Sequence, residues 1–440
     1  MIVHRAPAKR TVPWGMMAVL MASVFTVSMG FGVVLPLLPY LIERLLGAGG
    51  DAARVAQSTG VLTGLYMLSL FLFAPLWGRL SDRYGRRTIL VIGLAGFGAT
   101  MATFAFIETL VAVYAERFLS GMFAAAVTPV ALAAIGDIAA PEQTRARRLT
   151  FVSLAGVTGF LLGPMLGAFI AQGAAGLLPA TNSTGSLAFP LAATAMLAFI
   201  LAATAVRVLP RAKEPSLDVK QGPAPTKTVP TLMPRMLALA FIVSAAVGVF
   251  EVGLALRGKQ ELGLTQYQVA AMFTECSLVM IIVQTIVFSP WIKAETTRWF
   301  IAPALAILSI GLFLVPRAKD FAMMLLVVGA VAASAGIISP ILTYWISSKA
   351  GHAQGSQLGK QTAAASLGAA IGSAAGGLLF NVGWLPDASF VLITGLTVLG
   401  LLISLALPGM LMKRCSNDAG LNGNLESAAN QHAPSLKSTP

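Results

Sequence analysis

The 440-residue chain is 57% apolar and 11% charged, whereas soluble domains carry roughly a quarter charged residues, so the composition excludes a soluble globular body of this size. Two cysteines, Cys276 and Cys415, and three histidines, His4, His352 and His432, are too few and too scattered for a disulfide framework, a thiolate metal cluster or a histidine-based hydrolase. No metal site and no cofactor are expected. Lys and Arg outnumber Asp and Glu, 30 to 17, a surplus that would suggest nucleic acid in a soluble protein and whose meaning here depends on where the charges lie.

A nearly uncharged run of about 20 residues can cross a bilayer as a helix, because its backbone hydrogen bonds close internally. After a leader at residues 1–13, the chain has twelve such runs, at 15–40, 57–77, 88–107, 110–136, 150–172, 187–206, 236–256, 268–290, 299–316, 321–347, 361–380 and 389–410. Arg5, Lys9 and Arg10 resemble the start of a signal peptide, but the first run is far longer than a signal h-region of about 7–15 residues, so it reads as a retained helix. The first six runs fill 14–206 and the last six 236–410. Between them, 207–235 holds Pro210, Pro215, Pro223, Pro225, Pro230 and Pro234 among charged residues and reads as a linker. The polar tail, 411–440, is expected to be disordered.

Charge location sets the expected orientation. Numbering loops by the runs they join, the leader, the 2/3, 4/5, 6/7, 8/9 and 10/11 loops and the tail hold 23 Lys and Arg, and the alternate loops hold 6: Arg44, Arg54, Arg257, Lys259, Arg317 and Lys319. The positive side faces the cytoplasm, which puts both termini there and accounts for the net charge without nucleic acid.

The two blocks of six runs resemble each other. Phe25, Ser28 and Gly32 align with Phe241, Ser244 and Gly248 at a shift of 216; Ser153, Gly159 and Gly163 align with Ser366, Gly372 and Gly376 at 213; Pro129 aligns with Pro340 at 211. A tandem duplication predicts an all-α membrane protein of twelve transmembrane helices in two pseudo-symmetric six-helix bundles, related by an axis along the membrane normal, with a central cavity that can open to either side.

The loop after the second run reads GRLSDRYGRRTIL, with Gly78, Asp82, Arg83, Gly85, Arg86 and Arg87 within ten residues. Glycines at 78 and 85 suit a tight turn and close helix approach, and Asp82 is the only acid among arginines. The fifth run reads GVTGFLLGPMLGAF, where Gly156, Gly159, Gly163 and Gly167 reduce one helix face to backbone and Pro164 permits a bend. Arg117 and Gly121 stand in the fourth run.

On these motifs the chain resembles the major facilitator superfamily over residues 14–410, and its twelve-helix drug/proton antiporter branch in GFGVVLPLLPYL from Gly30. The resemblance implies that Asp82 and Arg86 form a latch holding the outward-facing state, with Asp82 docked near Gln361, and that a relay joins Arg86 to Asp137. It also implies that the glycine-proline motif lines the interface between the halves and that Arg117 takes part in proton transfer. The sequence departs from the family in three places. The 8/9 loop keeps Lys293 and Arg298 without the glycine-aspartate pattern, the first run has no acid, and Val328 stands where Arg117 has its counterpart.

Charges inside apolar runs are costly and point to function. Glu116, Arg117, Glu251 and Glu275 are the candidates for proton coupling, the last three about 8–10 Å below one end of their runs. Neighbours on a helix point about 100° apart, so Glu116 and Arg117 read as poor partners, and Arg117 is expected to face Glu275 or Glu251 across the cavity. Plainer readings stay open: Glu251 solvated near Arg257, Glu116 paired with a neighbouring helix, and Asp137 in an interfacial network with Glu142, Arg145, Arg147 and Arg148. Met67, Phe123, Phe250, Met272 and Trp345 are cavity candidates that sequence does not separate from packing residues.

The expected function is secondary active transport by alternating access: a monomer in the inner membrane exporting a small organic molecule in exchange for protons. An uptake carrier, a metal or metal-chelate porter, and a non-transporting sensor or scaffold are the alternatives. No phosphate loop, zinc signature or hydrolase elbow is present to suggest an enzyme.

Overall fold

The computed structural model describes residues 13–410 except 48–50, 105, 138–141, 176–182, 211–231, 288, 290, 291, 293, 350–353, 381, 383, 384 and 386. The leader, most of the linker and the tail therefore lie outside the described residues. The first predicted run forms α1 (Trp14–Val34) and α2 (Leu38–Leu46), joined by a 3-10 turn at Leu35–Leu37, where Pro36 cannot donate the next helical hydrogen bond. Eleven further helices follow: α3 (Ala52–Tyr84), α4 (Arg86–Phe104), α5 (Leu110–Gly136), α6 (Glu142–Ala175), α7 (Ser183–Val208), α8 (Leu232–Gln260), α9 (Gln266–Val287), α10 (Ile301–Leu314), α11 (Phe321–Lys349), α12 (Gln354–Leu378) and α13 (Ala388–Leu405). Each of α3 to α13 corresponds to one of the remaining eleven predicted runs.

Among the described residues, ten helical stretches are long and apolar enough to cross a membrane. The two runs that fall short are α6, whose apolar part is Phe151–Gly167, and α12, built largely of Gly, Ala and Ser. Both have given up apolar bulk for close approach. A Cβ at Gly159 of α6 would lie 2.2 Å from the Phe25 carbonyl oxygen of α1, and one at Gly372 of α12 would lie 2.2 Å from the Ala245 carbonyl oxygen of α8. Contacts this tight bring backbones together where only glycine fits.

The same pairing recurs along the chain. α1 packs along α6 as α8 packs along α12, α3 on α5 as α9 on α11, and α4 on α7 as α10 on α13. Contacts between the first half (α1–α7) and the second (α8–α13) run mainly through α3 against α12 and α6 against α9. At Gly60 of α3, a Cβ would lie 2.6 Å from the Gly377 Cα of α12.

Candidate functional site

A cleft opens where the halves meet, lined by Phe160, Leu161 and Pro164 of α6, Val247, Phe250 and Glu251 of α8, Phe273, Cys276, Ser277 and Met280 of α9, and Val331, Ala332 and Ala335 of α11. Its shape follows from the helices around it. Gly159 and Gly163 draw α6 onto α1, with a Cβ at Gly163 2.6 Å from the Met29 carbonyl oxygen, and this turns Phe160 and Pro164 toward the second half. The wall is mainly aromatic and aliphatic, with the Cys276 thiol, the Ser277 hydroxyl and one carboxyl group. Glu251 is 8% exposed, and among the described residues it meets no cation and no hydrogen-bond donor.

The other candidate charges stand elsewhere. Arg117 and Glu116 pair with each other, Nε to Oε2 at 2.6 Å and Nη2 to Oε1 at 2.9 Å, both buried at 1% and 4% exposure. The expectation that adjacent positions are poor partners is thus corrected: their Cα–Cβ vectors diverge, but both side chains are long enough to curl together into a bidentate pair. The expected pairing of Arg117 with Glu275 or Glu251 is corrected as well. Its guanidinium lies 4.5 Å from the Phe104 ring centroid and 5.7 Å from that of Tyr66. Tyr66 stacks on Phe31 at 4.9 Å, which stacks on Phe160 at 5.5 Å, so an aromatic row separates the ion pair from the cleft.

Glu275 is half-buried beside Gly329 of α11, where a Cβ would lie 3.4 Å from its Oε1. It lies outside the cleft lining, and its Oε2 is buried without a hydrogen-bond partner among the described residues. Arg257 bonds the Pro316 and Ala318 carbonyls and pairs with Glu261, so it does not solvate Glu251. Of the five cavity candidates only Phe250 lines the cleft. Met272 is fully buried, Phe123 packs on Trp77, and Trp345 donates to Thr297.

In the α3–α4 loop, Gly85 has φ of 90°, a backbone conformation that only glycine adopts without strain, and it ends α3. Nothing lies within 4 Å of a Cβ at Gly78, so that glycine is not there for close approach. Arg86 pairs with Asp82 at 2.6 Å and with Asp137 at 2.9 Å, bringing the expected relay residues into contact. Of the alternative partners of Asp137, Glu142, Arg145 and Arg147 have side chains outside the described residues, and Arg148 is half-buried with its Nη1 unpaired among the described residues. Arg83 stacks over Tyr84 at 5.4 Å, and Arg87 is half-buried in the first turn of α4. Docking of Asp82 at Gln361 is not present: the Asp82 side chain is 65% exposed, and Gln361 donates to Thr343 at 2.7 Å. Gly156, Gly159, Gly163 and Gly167 pack on Val24, Phe25, Met29 and Val33 of α1, within the first half and not across the interface. Of this motif's predicted residues only Pro164 lines the cleft.

This arrangement of helices matches solved structures of a D-xylose–proton symporter (TM-score 0.71, 14% identity, 90% of this chain and 97% of that one) and of the human organic anion transporter MFSD10 (TM-score 0.64, 20% identity, 90% and 100%). The Major Facilitator Superfamily model matches residues 20–364. The chain belongs to this superfamily. It is therefore a multi-pass membrane protein of a transporter family, and not an enzyme. Curated relatives include Multidrug resistance proteins 2 and 1 of Bacillus subtilis (strain 168). The first is 25% identical over 386 residues, covering 86% of this chain and 92% of that protein; the second is 27% identical over 372, covering 83% and 90%. Quinolone resistance protein NorA of Staphylococcus aureus (strain COL) is 26% identical over 397 residues, 88% of this chain and 95% of that protein.

Sequence reasoning missed Phe160, Leu161, Val247, Ser277 and Met280 of the cleft. Their one legible signal was nearness to Pro164, Glu251 and Glu275. It also missed Tyr40, Glu43, Lys259 and Gln260 at the far end of the halves, which read as ordinary loop-end residues.

Proposed function

We propose that this protein exports a small organic molecule in exchange for protons by alternating access, and that Glu251 is the group both occupants use. The supporting observation is the burial of Glu251 among Phe160, Phe250, Phe273 and Met280, with no cation beside it. A carboxylate charge in such surroundings needs neutralising by a proton or by a bound cation. One site with two mutually exclusive occupants is the physical basis of antiport. Aromatic rings and the Met280 thioether suit an amphipathic cargo, in keeping with the names of the bacterial relatives.

In this reading twelve helices cross the cytoplasmic membrane as two related six-helix bundles, with both termini inside, following the charge asymmetry. The halves meet at the outer end, through Gly60 and Gly377, while Asp82 pairs with Arg86 within its own half and is undocked from Gln361 at the inner end, which supports a conformation that faces the cytoplasm. Asp82 docks when the inner end closes.

The test is transport in oriented proteoliposomes, with a quinolone and a set of organic cations as cargo. Acid on the outer side should drive export in the wild type. Glu251→Gln should abolish the response to the pH gradient and weaken downhill exchange of the organic cations. A variant with wild-type gradient dependence would rule Glu251 out, and uptake of cargo with protons would reverse the direction assigned.

A further inference from the structure

At the outer end, the last turn of α8 reaches across to the first half. Lys259 donates from Nζ to the Pro39 carbonyl at 2.8 Å, pairs with the Glu43 carboxylate, and lies 4.9 Å from the centroid of the Tyr40 ring. Its side chain is 9% exposed. All three contacts come from α2, so an ammonium of one half is seated in a slot built wholly by the other. Carbonyl, carboxylate and aromatic face are the groups that recognise an ammonium ion. Two hydrogen bonds cross beside the slot, from Tyr40 Oη to the Leu264 carbonyl at 2.8 Å and from Gln260 Nε2 to the Ala52 carbonyl at 3.0 Å.

We propose that Pro39, Tyr40 and Glu43 form an ammonium-binding site, whose resident occupant, Lys259, locks the outer end closed, and which becomes open to small primary ammonium ions from outside when Lys259 withdraws. Separating the halves at this end removes the lysine and leaves the Glu43 carboxylate and the Pro39 carbonyl facing water. The slot is then a vacant receptor for an alkylammonium head. A free ammonium ion seated there touches one half alone and competes with Lys259, so it favours the outer-open state, in which the slot is vacant.

The test measures distance, not transport. Spin labels at Arg54 and Lys319, both exposed and on opposite halves, are placed in a chain with its native cysteines replaced, and pulsed dipolar distances are read in nanodiscs. Lys259→Ala should raise the ratio of outer-open to outer-closed protein by about tenfold, a bias of about 1.4 kcal/mol. Lys259→Arg should keep the end closed. Ethylammonium should shift the native chain toward the outer-open distance saturably, whereas sodium at equal ionic strength should not, nor should tetramethylammonium, which has no N–H to give Pro39.

In Lys259→Ala, whose slot is vacant in both states, ethylammonium should leave the distances unchanged, and Glu43→Gln alone should widen the distance distribution of the otherwise native chain. Unchanged distances in both single variants overturn the lock. An ethylammonium shift that persists in Lys259→Ala, or that sodium reproduces, overturns the site. The proposal shares with the transport reading only the existence of an outer-open state. Distances respond whatever the cargo is, so failure of one is distinguishable from failure of the other.

Discussion

Each half buries a carboxylate deep in its helices, and the two are held in opposite ways. In the first half, Glu116 is clamped by Arg117 through two hydrogen bonds, and the Arg117 guanidinium lies against the Phe104 and Tyr66 rings. In the second, Glu251 stands in the cleft wall with no cation among the described residues. A buried charge with a fixed partner is costly to disturb but does no exchange, whereas one whose partner must come from outside the protein is suited to bind and release it. The first half thus carries a buried ion pair, and the second the carboxyl group that we propose as the exchangeable site.

The largest effect should follow from breaking the fixed pair. Arg117→Ala leaves Glu116 buried alone and should cost about 3–5 kcal/mol in denaturant titrations in mixed micelles, while Glu116→Gln with Arg117→Met should recover much of that loss. If Arg117→Ala is as stable as the wild type, the pair is not structural. Next, Glu251→Gln should reduce proton-driven export by about 100-fold, near 2.7 kcal/mol of barrier, whereas Glu275→Gln, outside the cleft, should stay within about twofold in the same assay.

A third comparison uses the repeat itself. Gly159→Val and Gly372→Val meet a carbonyl oxygen at the same 2.2 Å, and each should destabilise by about 1–3 kcal/mol; a large difference between them would show that the halves do not share one packing scheme. The smallest effects should distinguish the two loop glycines. Gly85→Ala should cost about 1 kcal/mol for its positive φ, and Gly78→Ala, with open space around it, should stay within about 0.5 kcal/mol.

Much of the fold was legible in the residues. Lengths of apolar runs marked the helices, because a helix hides its own backbone polar groups and side-chain character alone decides whether it stands in lipid. The repeated Phe25/Phe241 and Gly159/Gly372 spacing anticipated equivalent helix pairs, because glycine spacing is a local cause of close packing. Gly85 is the turn residue that its spacing suggests, whereas Gly78, seven positions earlier, packs on nothing, because open space is a property of neighbours rather than of the residue.

What the sequence determined alone, then, was local: helices, their apolar extent, the glycine faces and the asymmetry of surface charge, each set by residues within a few turns of one another. Tertiary structure alone decided which charge met which. Arg117 turned to its own neighbour instead of crossing the cleft, Glu251 rather than Glu275 came to line the wall, and Lys259 found a slot 220 positions away at Pro39. Side-chain pairing depends on how long flexible groups are oriented and screened by helices distant in sequence, and no local pattern encodes that.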